Sequence, residues 1–181
     1  MDFELVPLCA NHLISFKKDM QKAFQWGVIE GLGEMDSPHE GEMEILPEAD
    51  IDHSLRAKGA AAYEAVVDGK PVGGAIVVID EVTQHNHLDF LFVKVGAQSN
   101  HVGQQMWKAI EARYPETKVW ETCTPYFEKR NIHFYVNRCG FHVVEFFNRY
   151  HPDPSFPDEN NTNAENDSFD GMFRFEKEMR K

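Results

Sequence analysis

The run His85-Asn-His-Leu-Asp89 sets two imidazoles and a carboxylate at alternate positions. On a β-strand, residues two apart share a face, so these three side chains point together. Two chemistries suit them. Zinc accepts two histidines and a carboxylate, with water in an open fourth position. An imidazole, which titrates near neutrality, or a carboxylate can also take a proton from a nucleophile. Directly downstream, "VGAQSNHVGQQMW" reads as the end of a strand, a loop and a helix start. A helix start offers unpaired N–H groups and the positive end of a dipole, which suits phosphate. Asn100 is placed to cap that helix.

The metal reading is similar to the opening of the His-x-His-x-Asp-His signature of metallo-β-lactamase-like hydrolases. Its last histidine is absent, since Phe90 stands there. Alternate ligands on one flat strand also sit too far apart to close round a single ion without bending. A metal-dependent hydrolase using His85, His87 and Asp89 is therefore kept as an alternative, and no metal ligand is assigned.

The elements that must hold these residues follow from periodicity. Phe3–Leu8 reads as a strand. A helix follows from Asn11, its expected N-cap, with Leu13, Phe16, Met20 and Phe24 near helical spacing. The carboxylate-rich stretch from Glu30 to Asp50 lacks Lys and Arg and reads as a loop or a short helix pair. "AAYEAVVD" and "PVGGAIVVID" form a hairpin about Asp68-Gly69. His87–Val95 is a third strand of this group. Val102, Met106, Ala109, Ile110 and Arg113 make a helical stripe that Pro115 ends. "KVWETC" is a strand, "KRNIHFYVNRC" a helix closed by Gly140, and "FHVVEFFN" and "GMFRFEKEM" the last strands. The expected fold is mixed α/β: one central sheet of six or seven strands, antiparallel in its first half and parallel where strand-helix-strand units occur. The expected domain is a single one over residues 1–181, with a polar insertion at about 150–168.

Composition narrows the function. A net charge of -12 argues against general nucleic-acid binding, which needs clustered Lys and Arg, and permits a cationic small substrate. Three cysteines, Cys9, Cys123 and Cys139, are too few for a disulfide framework, so a reducing, cytoplasmic setting is expected. The N-terminus has no signal-peptide core, and no apolar run spans a bilayer.

Two stretches together resemble a family. Val93-Lys-Val-Gly-Ala-Gln98-Ser-Asn-His101-Val-Gly103 is similar to motif A of the GNAT superfamily of N-acetyltransferases, matching at Gln98 and Gly103. His101 stands where the first glycine is usual, and Val95 where proline is common. Asn131, Phe134, Tyr135, Gly140 and Phe141 match the superfamily's second signature. The resemblance covers roughly Pro71 to Phe147.

The resemblance implies a sheet split between strands 4 and 5, with acetyl-CoA as co-substrate. Pantetheine would pair with the backbone of Leu91, Phe92, Val93 and Val95. Pyrophosphate would lie on the amides of Gln98, Ser99, Asn100, His101, Val102, Gly103 and Gln104. Asn131 would contact pantetheine, and Tyr135 would protonate the leaving thiolate. The acceptor amine must lose a proton before attack. A lysine-like amine with pKa ~10.4 is neutral in about one molecule in 2,500 at pH 7, a deficit near ~4.6 kcal/mol. His87 and Asp89 are the expected bases, with Glu121 on the facing strand a further carboxylate. The expected activity is acetyl transfer to a primary amine on a small acceptor, for which the net charge permits a cation. An acyl-CoA sensor without turnover is the alternative from a different class. A homodimer is permitted.

Overall fold

The computed structural model describes residues 2–32, 45–98, 101–155 and 171–180. The chain forms β1 (Phe3–Pro7), α1 (Leu13–Leu32), α2 (Glu48–Arg56), β2 (Ala60–Val67), β3 (Lys70–Val78), β4 (His85–Val93), α3 (Val102–Arg113), β5 (Val119–Pro125), α4 (Lys129–His133), β6 (His142–Phe147) and β7 (Met172–Glu178). Seven strands make one mixed sheet in the order β1-β2-β3-β4-β5-β7-β6. Among the described residues β4–β5 is the one parallel pairing; β6 runs in the same direction as β5, but β7 lies between them and pairs antiparallel with both.

Each sheet face has its own apolar cluster. α1 buries Phe16, Met20 and Val28, with the half-buried Phe24 completing a stripe spaced four residues apart. Phe16 meets Phe92 edge-on at 5.2 Å, and Phe24 meets Phe90 at 5.8 Å. α3 presents Val102, Met106 and Ile110 to the opposite face. There Trp107 packs on Trp120 and Phe141, and Tyr135 packs on Phe141 and Phe175. The β2–β3 turn has positive φ at both Asp68 and Gly69, the two-residue hairpin geometry that Asp-Gly favours.

Four details depart from the sequence expectation. Asn11 does not cap α1; it lies in a 3-10 turn, Ala10–His12, that leads into the helix. α1, expected to span Asn11–Trp26, runs on through Gly27 and Gly31 to Leu32, and at Gly31 the chain entering α4 lies close against it. A Cβ at Gly31 would stand 3.0 Å from the Phe127 carbonyl. β4 begins at His85 and ends at Val93, so Val95 lies in the following turn and not on the strand. The third helical element, expected to be regular, widens into a π-helical turn at Phe134–Arg138 after α4. The acidic segment contributes α2 at its end, while residues 33–44 lie outside the described residues, as does most of the 150–168 insertion.

The α1–α4 contact buries a carboxylate. Glu128 is 6% exposed, sits beside Gly27, and accepts from the Asn131 amide. Burial pushes its pKa from 4.5 up to about 7, with the Asn131 bond acting the other way. The folded chain therefore holds this proton more tightly than the unfolded chain does. Its stabilising effect is complete below the unfolded value and is lost as pH rises through about 7. Glu128→Gln keeps an acceptor for Asn131 and removes the buried charge. It should raise stability by roughly 1–3 kcal/mol at about pH 8 and by little at about pH 4.5, read by chemical denaturation.

Candidate active site

The β4–β5 ladder covers three residue pairs: His85↔Val119, Asn86↔Trp120 and His87↔Glu121. Beyond His87 the strands part. At the fork, Thr122 Oγ1 donates to the Leu88 carbonyl at 2.9 Å, so a side chain takes the place of a ladder bond. A bulge accompanies the fork. β3 pairs Val77 with Leu88 and Ile76 with Phe90, leaving Asp89 as the extra residue. Leu88 belongs to the α3-side cluster, whereas Phe90 and Phe92 pack on the α1 side. Alternation from Leu88 thus sets His85, His87 and Asp89 on the α1 side, as the spacing predicts.

Tyr135 lies on the other side of the same fork. It is 7% exposed on the π-helical turn. Burial, the dominant cause, raises its phenol above the ordinary value, while a hydrogen bond with Thr122 works the other way. The phenol is therefore protonated throughout the neutral range and available as a donor. Thr122 connects the two motif regions, touching both Tyr135 and the Leu88 carbonyl.

Opposite Tyr135, on the α1 side, is a cross-strand polar network. His85 Nε2 and His87 Nε2 each lie 3.1 Å from Glu121 Oε2. Arg174 on β7 bonds Glu121 Oε1 at 3.2 Å, Glu176 Oε1 at 2.6 Å and Glu145 Oε1 at 3.0 Å. His151 Nε2 meets Glu145 Oε2 at 2.7 Å. Asp89 stands apart from this set and accepts from Ser54 Oγ of α2 at 2.6 Å. The sequence reading named Glu121 but missed Arg174, Glu145, Glu176, Ser54 and Thr122. The alternation in "RFEKE" puts Arg174 and Glu176 on one face; their neighbours depend on β7 lying between β5 and β6, which no local signal encodes.

On the loop side, α3 opens at Val102, Gly103 and Gln104, whose N–H groups lack intrahelical acceptors. His101 precedes them with φ 55° and ψ 20°, the left-handed conformation that glycine adopts freely. Its side chain is exposed, so the position uses glycine-like backbone with a histidine, at a strain of about 1–2 kcal/mol. Gly103 serves packing: a Cβ there would come within 3.2 Å of the Phe134 ring. The Gly96 amide donates to Gln98 Oε1 at 2.8 Å. Ser99 and Asn100 lie outside the described residues. Leu91, Phe92 and Val93 occupy the parted half of β4. Asn131 is tied to Glu128. Two basic residues are already paired with α1: Lys94, just after β4, with Asp19 at 3.0 Å, and Arg130 of α4 with Glu30 at 2.9 Å. No described helix is long and apolar enough to cross a membrane.

The family model described as Acetyltransferase (GNAT) family matches residues 20–141. An uncharacterized protein of Bacillus subtilis (strain 168), YrkN, is 47% identical over 176 residues, covering 94% of this chain and 90% of the relative. Among solved structures, the ribosomal-protein-S18-alanine N-acetyltransferase from Escherichia coli aligns with a TM-score of 0.68 at 11% identity, over 99% of this chain and 96% of that one. A GNAT family acetyltransferase from Elizabethkingia anophelis with acetyl-CoA bound aligns with a TM-score of 0.65 at 14% identity, over 98% of each chain.

The Arg174 network makes a stability prediction. Arg174→Gln leaves Glu121, Glu145 and Glu176 together without their shared cation. It should lower stability by about 1–2 kcal/mol at neutral pH, the partial exposure of the set limiting the loss. Urea denaturation measures this, and an unchanged midpoint would show the network to be idle.

Proposed function

The chain belongs to the GNAT acetyltransferase family, and from that membership we propose that it transfers the acetyl group of acetyl-CoA to a primary amine on a small, cationic acceptor. The observation that carries this reading is the parting of β4 from β5, with Tyr135 on one side of the sheet and His87 with Glu121 on the other.

In this reading the pantetheine arm pairs with the free edge of β4 at Leu91, Phe92 and Val93. The first-turn amides of α3 hold the pyrophosphate, whose charge suits the helix start. The thioester then lies in the gap between the strands. The acceptor approaches from the His87 face and the thiolate leaves toward Tyr135, so attack and departure occur on opposite sides of the sheet.

His87 is the base. With Nε2–H donated to Glu121, its free lone pair is on Nδ1, which takes the proton from the amine. Glu121 is held by Arg174 and stabilises the imidazolium that forms. As the tetrahedral adduct collapses, the C–S bond breaks and the phenol of Tyr135 donates its proton to the sulfur. The raised phenol pKa favours this donor state over a lasting phenolate. The carboxylates of Asp89, Glu121, Glu145 and Glu176 outnumber the single Arg174 charge and attract a cationic acceptor, in a chain of net charge -12. Asp89, bonded to Ser54, is placed as an acceptor contact, a role that leaves proton transfer to His87.

A thiol-release assay with acetyl-CoA across polyamines, aminoglycosides and basic amino acids tests the reaction. Release with at least one amine class is expected. Binding of acetyl-CoA without release from any of them would identify a sensor instead. Tyr135→Phe should lower kcat by about 10–100-fold while leaving KM for acetyl-CoA within about 3-fold. His87→Ala should cost about 100-fold in kcat/KM. If Tyr135→Phe abolishes cofactor binding, the acid role assigned to Tyr135 fails.

A further inference from the structure

Among the described residues, His85, His87 and Glu121 bring one ligand atom each to within 4.8 Å of one another. The two Nε2 atoms each stand 3.1 Å from Glu121 Oε2. Donors bound tetrahedrally to zinc at ~2.0–2.1 Å lie about 3.3–3.4 Å apart, so two edges of such a polyhedron are already formed to within a few tenths of an ångström. The imidazoles are stacked, with centroids 5.8 Å apart and planes at 28°, and both bring Nε2 to the same carboxylate oxygen. Three alternate residues on one flat strand do not close round a single ion without bending. The third donor here comes from β5, and Asp89 is engaged by Ser54.

The surroundings are those of a ligand set held in place. Arg174 grips Glu121 Oε1 and leaves Oε2 to the histidines, the outer-shell bond that orients a metal-binding carboxylate. Glu176 Oε1 lies 3.9 Å from His85 Nε2, within reach as a further donor. Glu121, Glu145 and Glu176 against Arg174 leave two negative charges, which a divalent cation balances. His85 and His87 are 38% and 48% exposed, so an ion has access and a fourth position is open to water.

We propose that His85, His87 and Glu121 form a binding site for a first-row divalent transition-metal ion of zinc type. The donor set of two imidazoles and one carboxylate suits zinc and cobalt and disfavours magnesium and calcium. This goes beyond acetyl transfer and depends only on the geometry of the trio, so either reading can fail alone. The two meet at one atom: a metal on His87 Nε2 shifts the ring proton to Nδ1 and removes the base.

The test uses the full chain, free of any affinity tag and stripped with chelator, titrated with cobalt(II) by visible absorption and with zinc(II) by calorimetry. One saturable equivalent with tetrahedral cobalt bands and low-micromolar affinity is expected. His85→Ala and His87→Ala should each weaken it about 10–100-fold, and His133→Ala, an exposed histidine on α4, should leave it unchanged. Circular dichroism and the denaturation midpoint verify folding of each variant. Absence of saturable binding, or equal affinity in the folded His85→Ala/His87→Ala double variant, overturns the proposal.

Discussion

Backbone N–H and C=O groups must find partners or reach solvent, and that constraint governs what this sheet can do. β4 and β5 satisfy it together for three residue pairs and then separate. The bulge at Asp89 and the Thr122–Leu88 bond mark the point of separation. Past it, the edge of β4 at Leu91 to Val93 has no partner on β5. Every proposed function of the chain uses this edge or the residues the fork sorts to its two sides. Tyr135 goes to the apolar α3 side, and His85, His87 and Glu121 go to the polar side.

The two sides differ in what they hold ready. On the α3 side, burial among Phe134, Phe141 and Phe175 keeps the Tyr135 hydroxyl protonated. On the other side, Arg174 ties three carboxylates from three strands and leaves one oxygen of Glu121 for the histidines. That oxygen can hold an imidazole for proton transfer or share a metal ion with it. Both uses need the rigid cross-strand frame, because β4, β5, β7 and β6 each supply a member.

Much of this was legible in the sequence, and the remainder was unreadable for physical reasons. The Asp68-Gly69 turn and the apolar stripe of α3 depend on local chemistry and lie where expected, but α3 takes His101 and not Asn100 as its N-cap. The left-handed backbone at His101 was hidden by its residue type, since histidine does not announce positive φ. The β4 bulge keeps His85, His87 and Asp89 on one face but moves Phe90 to join them, so strict alternation mispredicts the strand's second half. α2 was obscured by the acidic stretch before it. The π-helical turn under Tyr135 and the partners of Glu121 arise from packing and from the placement of β7 between β5 and β6. Neither leaves a local pattern to read.

The central claim is that the parted edge of β4 and the first turn of α3 bind one acyl-CoA molecule together. Hydrogen exchange of backbone amides, with and without saturating acetyl-CoA, addresses it directly. The account predicts slowing of at least about 10-fold in both Phe90–Val93 and Val102–Gln105, with little change in the β1–β2 ladder. Unchanged exchange in β4 under conditions where acetyl-CoA is bound would contradict it.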